Sequence, residues 1–150
     1  MKILVCTDGS AQSQKAIDKT LEITGGCNVE KVTVIHIYQK RYDFFETTTD
    51  RLPITHEDVK HFQNIEAEVE KMLQEMLDDA IKPFKERNIK TDAVLKSGHP
   101  SETIARFAAE GDYDLIVIGS RGLGGLKKFF LGSVSNAVLQ EADRTVMVVK

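Results

Sequence analysis

Five short apolar runs, separated by stretches with helical spacing, constrain this chain more than any other feature. Lys2 to Thr7 holds Ile3-Leu4-Val5, Val32 to Tyr38 is rich in β-branched residues, and Ile89 to Lys96 alternates apolar with polar positions. Leu115 to Ile118 and Thr145 to Val149 supply a fourth strand and a fifth. Between them, Ala16, Ile17 and Leu21 mark one helix, and Phe62, Ile65, Val69, Met72 and Phe84 fall on a long amphipathic one. Ile104, Phe107 and Ala108 mark a third, and Ser133 to Glu141 a fourth. The order β-α-β-α-β-α-β-α-β predicts one doubly wound α/β domain over residues 1–150, a five-stranded parallel sheet with helices on both faces.

Burial then orders the strands. A strand covered on both faces is continuously apolar, whereas a less covered one alternates. Ile3-Leu4-Val5 and Leu115-Ile116-Val117-Ile118 are therefore central, and the alternating third strand lies at an edge. The order 3-2-1-4-5 satisfies this and puts a topological switch point between strands 1 and 4, where ligands bind beyond the carboxyl ends. Thr7-Asp8 and Gly119-Ser120 occupy those ends.

Local signals place the element boundaries. Asp8-Gly9-Ser10 turns the first strand into a helix, and Gly25-Gly26 is expected to end it with a glycine at positive φ. Thr55, with Asp58 three residues on, starts the long helix, which Pro83 should bend or terminate. Residues 39–54 lack a period and read as a loop.

Composition excludes several classes. The net charge of −3 gives no excess of Lys and Arg for a nucleic-acid surface. The apolar run Ile3 to Cys6 is too short for a signal-peptide core, and no stretch suggests a membrane span. Cys6 and Cys27 form no CxxC pair and no Cys/His cluster, which fits free thiols and a cytoplasmic setting.

The chemistry concentrates in Gly119 to Ser133, with Ser135 just beyond. Glycines there let backbone N–H groups approach a ligand closely, and Gly132-Ser133 opens a helix whose first N–H groups lack internal partners. Ser133 and Ser135 add hydroxyls, and Arg121, Lys127 and Lys128 are candidate phosphate partners. A helix end attracts an anion by only ~0.3–1 kcal/mol, up to ~2 when partly buried. Micromolar affinity requires about 8 kcal/mol, so a base and ribose pocket must supply the rest.

The spacing Gly119-x2-Gly122-x9-Gly132-Ser133 resembles the ATP-binding signature of the universal stress protein family. Lys2-Ile3-Leu4-Val5-Cys6-Thr7-Asp8-Gly9-Ser10, Val34-Ile35-His36-Ile37 and Gly98-His99-Pro100 resemble that family too, so the similarity spans essentially the whole chain. It implies an adenine-nucleotide-hydrolase-like or flavodoxin-like fold, ATP with Mg²⁺ as ligand, a stress or regulatory role, and a homodimer through the last strand. By the same resemblance Asp8 would meet the ribose or metal-bound phosphates, with Thr7 and Ile37 beside the adenine. Ile118 and Gly119 would line the pocket, while Gly122, Gly132, Ser133, Val134 and Ser135 would wrap the phosphates. Arg144-Thr145 departs from the pattern, in which a small residue is followed by Pro.

Thr145 to Val149 also makes an apolar edge strand, and such edges pair with a second chain unless protected. The sequence offers Asp8 for a metal but no evident base to activate water. It therefore favours a nucleotide-dependent regulatory module over a slow ATPase or an autophosphorylating enzyme.

Overall fold

A computed structural model describes residues 1–40, 55–123 and 131–150, apart from the side chain of His56. Nine elements alternate along the chain: β1 (Lys2–Cys6), α1 (Ala11–Gly26), β2 (Lys31–Tyr38), α2 (His56–Glu86), β3 (Thr91–Ser97), α3 (Pro100–Glu110), β4 (Leu115–Gly119), α4 (Ser133–Glu141) and β5 (Thr145–Val149). The strands form one sheet in the order β3-β2-β1-β4-β5, and all four pairings are parallel. Val5 of β1 pairs with Val34 of β2 on one side and Val117 of β4 on the other.

The two-residue period of the strands splits the core into two layers. Ile3, Val5, Val32, Val34, Leu115 and Val117 point to the face covered by α1 and α2. Leu4, Cys6, Ile35, Ile116 and Ile118 point to the face covered by α3 and α4. Every residue of β4 is buried, whereas no residue of β3 is, so the continuous run is central and the alternating one lies at the edge.

α1 ends at Gly26, as expected, but without the expected conformation, and α2 ends three residues beyond Pro83. Neither Gly25 nor Gly26 ends α1 in a left-handed conformation; the helix runs through both. Cys27 follows in an extended conformation and still donates its N–H to the Ile23 carbonyl at 3.0 Å, so no positive φ is needed. Pro83 does not terminate α2, which continues to Glu86. It stands in the last turn, where its missing N–H forfeits a single bond, and the fully buried Phe84 beside it anchors that turn. The start of α2 is the expected one: Thr55 Oγ1 accepts from Asp58 N at 3.2 Å, and Asp58 Oδ2 accepts from Thr55 N at 2.9 Å.

β5 begins at Thr145 itself, not at a proline. Arg144 holds the strand entry instead, donating to the Ala109 carbonyl at 3.3 Å and to Asp112 Oδ1 at 3.4 Å. Of the loop expected over residues 39–54, residues 41–54 lie outside the described residues, as do the cations Lys127 and Lys128. Among those described, no helix is long and apolar enough to cross a membrane.

Candidate functional site

At the carboxyl ends of β1, β2 and β4 a cavity of about 320 Å³ opens. Thr7, Asp8, Ile37, Ile118, Gly119, Arg121, Gly122, Gly132, Ser133, Val134 and Ser135 all stand in its wall. These eleven residues come from four separate stretches of chain, and the switch point between β1 and β4 gathers them.

One part of the wall is apolar. Ile35 and Ile37 of β2, Ile118 of β4, and Pro100 and Ile104 of α3 contribute it. The polar part is built on two turns. After β1, Gly9 takes φ +77°, and Ser10 caps α1 by accepting from Ser13 N at 3.2 Å. Thr7 is held on all sides. Its N–H donates to the Ile35 carbonyl at 3.0 Å, its hydroxyl contacts Ser13 Oγ at 3.1 Å, and Gly9 N donates to that hydroxyl at 3.2 Å. His36 Nδ1 lies 2.7 Å from the Thr7 carbonyl. A carbonyl only accepts, so this nitrogen carries the proton and the ring is fixed as a donor.

Asp8 ties the two turns together. Its Oδ1 accepts from Ser10 N at 3.0 Å and its Oδ2 from Leu123 N at 3.2 Å. Burial pushes its pKa up, but hydrogen bonds from Ser10, Ser13 and Leu123 outweigh that, and the net pKa lies below the ordinary 3.8. A group with a depressed folded-state pKa adds stability above its unfolded pKa, and that contribution fades as pH falls through the folded value. The stability gap between wild type and Asp8→Asn should therefore narrow from about pH 5 to about pH 3 in paired urea melts. A gap that stays constant would show that the carboxylate does not hold the turns.

The glycines do different work. A Cβ on Gly122 would sit 2.4 Å from Asp8 Oδ2, so only glycine lets the carboxylate and this turn approach so closely. A Cβ on Gly132 would meet Arg121 Cα at 3.3 Å and the Ser120 carbonyl at 3.5 Å. Gly119 faces α1 rather than open space: its Cβ would meet Gln12 and Ser13 backbone atoms at 2.7–2.9 Å.

Gly132 also starts α4, with no side-chain cap, so the N–H groups of Ser133, Val134 and Ser135 have no intrahelical partner. Ser133 is exposed, whereas Ser135 is buried with its hydroxyl directed at the carbonyls of Ser120 and Gly132, at 3.1 and 3.0 Å. Arg121 adds a cation whose buried Nε has no hydrogen-bond partner among the described residues.

Cys6, Ile35, Pro100 and Ile104 line the cavity although no glycine signal points to them. Ile35 was legible through strand alternation, being two residues before Ile37 on the same face. Pro100 and Ile104 arrive from α3 and needed the packing of that helix. Burial pushes the Cys6 thiol up to about 12, so it stays protonated and serves as wall, not nucleophile.

The comparisons agree with this architecture. The universal stress protein family profile matches residues 1–150. Universal stress protein YxiE of Bacillus subtilis is 31% identical over 149 residues, covering 99% of this chain and 98% of YxiE. The solved structure of MJ0577, a universal stress protein of Methanocaldococcus jannaschii, superposes with a TM-score of 0.82 at 23% identity, covering 99% of this chain and 94% of that one. A universal stress protein family member from Arabidopsis thaliana, solved with AMP bound, gives a TM-score of 0.65 at 20% identity over 100% of this chain and 91% of its own. A profile match over the full length, together with a relative above 30% identity across nearly the whole of both chains, places this chain in the universal stress protein family.

Proposed function

We propose that this chain is a nucleotide-dependent regulatory module of the stress response that binds ATP, with Mg²⁺, in the switch-point cavity. One observation carries the reading. The same cavity joins an apolar wall of isoleucines to the uncapped start of α4, with Arg121 and two closely packed glycines beside it. A planar base suits the first and an anionic tail suits the second. The AMP carried by the Arabidopsis neighbour supports an adenine nucleotide as the occupant.

The polar wall fits a phosphate chain. Arg121 Nε is a buried donor without a partner among the described residues, and Gly132 packs against the Arg121 backbone so that an added Cβ would sit tightly at 3.3 Å from its Cα. Ser133, Val134 and Ser135 would offer N–H groups to phosphate oxygens, Thr7 and Ile37 would border the adenine, and Ile118 and Gly119 would close the pocket. Among the described residues no three His, Cys, Asp or Glu side chains cluster to hold a metal. Mg²⁺ would thus enter on the phosphates, with Asp8 as its protein partner. Asp8 is a weak base at its lowered pKa, which favours binding over hydrolysis as the chemistry of the site. Function in the cytoplasm, as a homodimer through the apolar edge strand β5, completes the proposal.

Calorimetric titration with ATP, ADP, AMP and FMN, with and without Mg²⁺, tests it. ATP should bind at micromolar concentration and FMN should not. Arg121→Gln should weaken ATP about tenfold and AMP less, because a charge-assisted bond is worth ~1.5–3 kcal/mol and AMP has fewer phosphates to offer. No heat and no thermal stabilisation with any adenine nucleotide at millimolar concentration would sink the proposal. Phosphate release from the same samples would reassign the site to a slow ATPase.

A further inference from the structure

Helix α2 carries a stripe that the nucleotide reading does not use. Ile65, Val69, Met72 and Met76 follow one another at intervals of four, three and four residues, which keeps them on one line of the helix. The first three are exposed, Ile65 and Val69 at 38% and Met72 at 61%. Met76 is the inner end of the line. A Cβ on Gly9 would lie 3.0 Å from its Sδ, so the stripe runs out from the turn that carries Asp8.

The charge beside the stripe says what would cover it. Between Glu57 and Asp79 the helix carries eight carboxylates against two lysines, Lys60 and Lys71. Glu68 stands four residues before Met72 and Glu75 three after it, so both border the stripe at its most exposed point. Both are exposed, and neither is in an ion pair among the described residues. Lys71 stands three residues after Glu68 and four before Glu75, within reach of both, so it offsets one of the two charges and leaves one in excess; Lys60 lies eight residues before Glu68, out of reach. Acidic flanks repel anionic membranes and nucleic acid and attract cations. Methionine adapts its shape to an incoming apolar face.

We infer that this face of α2 is a docking surface for a basic amphipathic helix of a partner protein. Its leucine-type face would lie on Val69 and Met72 while its lysines or arginines meet Glu68 and Glu75. The inference does not depend on nucleotide binding, and it is tested on nucleotide-free protein.

The probe is a fluorescent leucine–lysine peptide of about 18 residues with leucines at helical spacing. Its controls are a scrambled peptide of the same composition and a leucine–glutamate twin. The amphipathic basic peptide should bind, and Val69→Gln/Met72→Gln and Glu68→Gln/Glu75→Gln should each weaken it about tenfold, a change of about 1.4 kcal/mol. In wild-type protein with labelled methionine methyls, the Met72 signal should shift on adding the peptide. Equal binding of the scrambled peptide or of the glutamate twin would overturn the inference, as would a Met72 signal that does not move. A Met72 signal that shifts with protein concentration alone would assign the face to a second copy of the chain and overturn the partner assignment.

Discussion

Replacing Gly122 with valine is expected to abolish adenine-nucleotide binding at millimolar ligand while leaving the protein folded. Even the first added carbon would stand 2.4 Å from Asp8 Oδ2, far inside contact distance. Either the carboxylate swings away or residues 121–123 lift off it, and both movements break the bond from Leu123 N to Asp8. The wall that joins Asp8 to Arg121 then loses its shape. Gly122 is exposed and belongs to neither core layer, so the global cost is confined to that surface bond and local strain. That amounts to about 1 kcal/mol, or a fall of ~2–4 °C in melting temperature for a chain of this size. Calorimetry and a thermal melt on the same sample separate the two effects. Affinity within threefold of wild type would remove Gly122 from the proposed site, whatever the melt shows.

That experiment bears on how much of the site could be read from the residues alone. The strand order was legible because burial leaves a mark on each strand separately: β4 is apolar throughout and β3 alternates. Once the order is known, the switch point follows, and with it the meeting of Asp8 and Gly122 across more than a hundred residues. What stayed hidden depends on geometry that no spacing encodes. Gly25 and Gly26 do close the first helix, yet without a positive φ, because Cys27 caps it from an extended conformation. Pro83 looks like a break, yet its place in the last turn and the burial of Phe84 make it tolerable. Pro100 and Ile104 reach the cavity only because α3 packs on the same face of the sheet as Ile35 and Ile118. Arg144 replaces a rigid entry to β5 with hydrogen bonds to the end of α3, a substitution of interaction for shape that the sequence shows only as a departure.

Gly119 poses the opposite case, and its replacement should damage the fold itself. In the family signature it belongs with Gly122 and Gly132, and it does stand in the cavity wall. Its missing side chain, however, is what lets α1 rest on the end of β4. A Cβ there would lie 2.7 Å from the carbonyl carbon and oxygen of Gln12 and 2.9 Å from Ser13 N. These are backbone atoms in the first turn of a helix, so no rotamer change relieves the clash. α1 would have to move, carrying Ala16, Ile17 and Leu21 out of register with Ile3, Val5 and Val117 in the same layer. Overpacking of this kind costs typically ~1–3 kcal/mol and occasionally more. Because the obstacle is backbone, Gly119→Val should reach about 3 kcal/mol or beyond, against a total stability of ~5–15 kcal/mol. A urea melt should show the midpoint fall with little change in slope, and nucleotide affinity should fall with it, because the displaced first turn of α1 holds Thr7 and Asp8 through Ser10 and Ser13. If Gly119→Val were as stable as wild type but unable to bind nucleotide, Gly119 would serve the ligand rather than the helix. Two glycines three residues apart would then share one role, where the geometry gives them two: Gly122 makes room for a carboxylate, and Gly119 makes room for a helix.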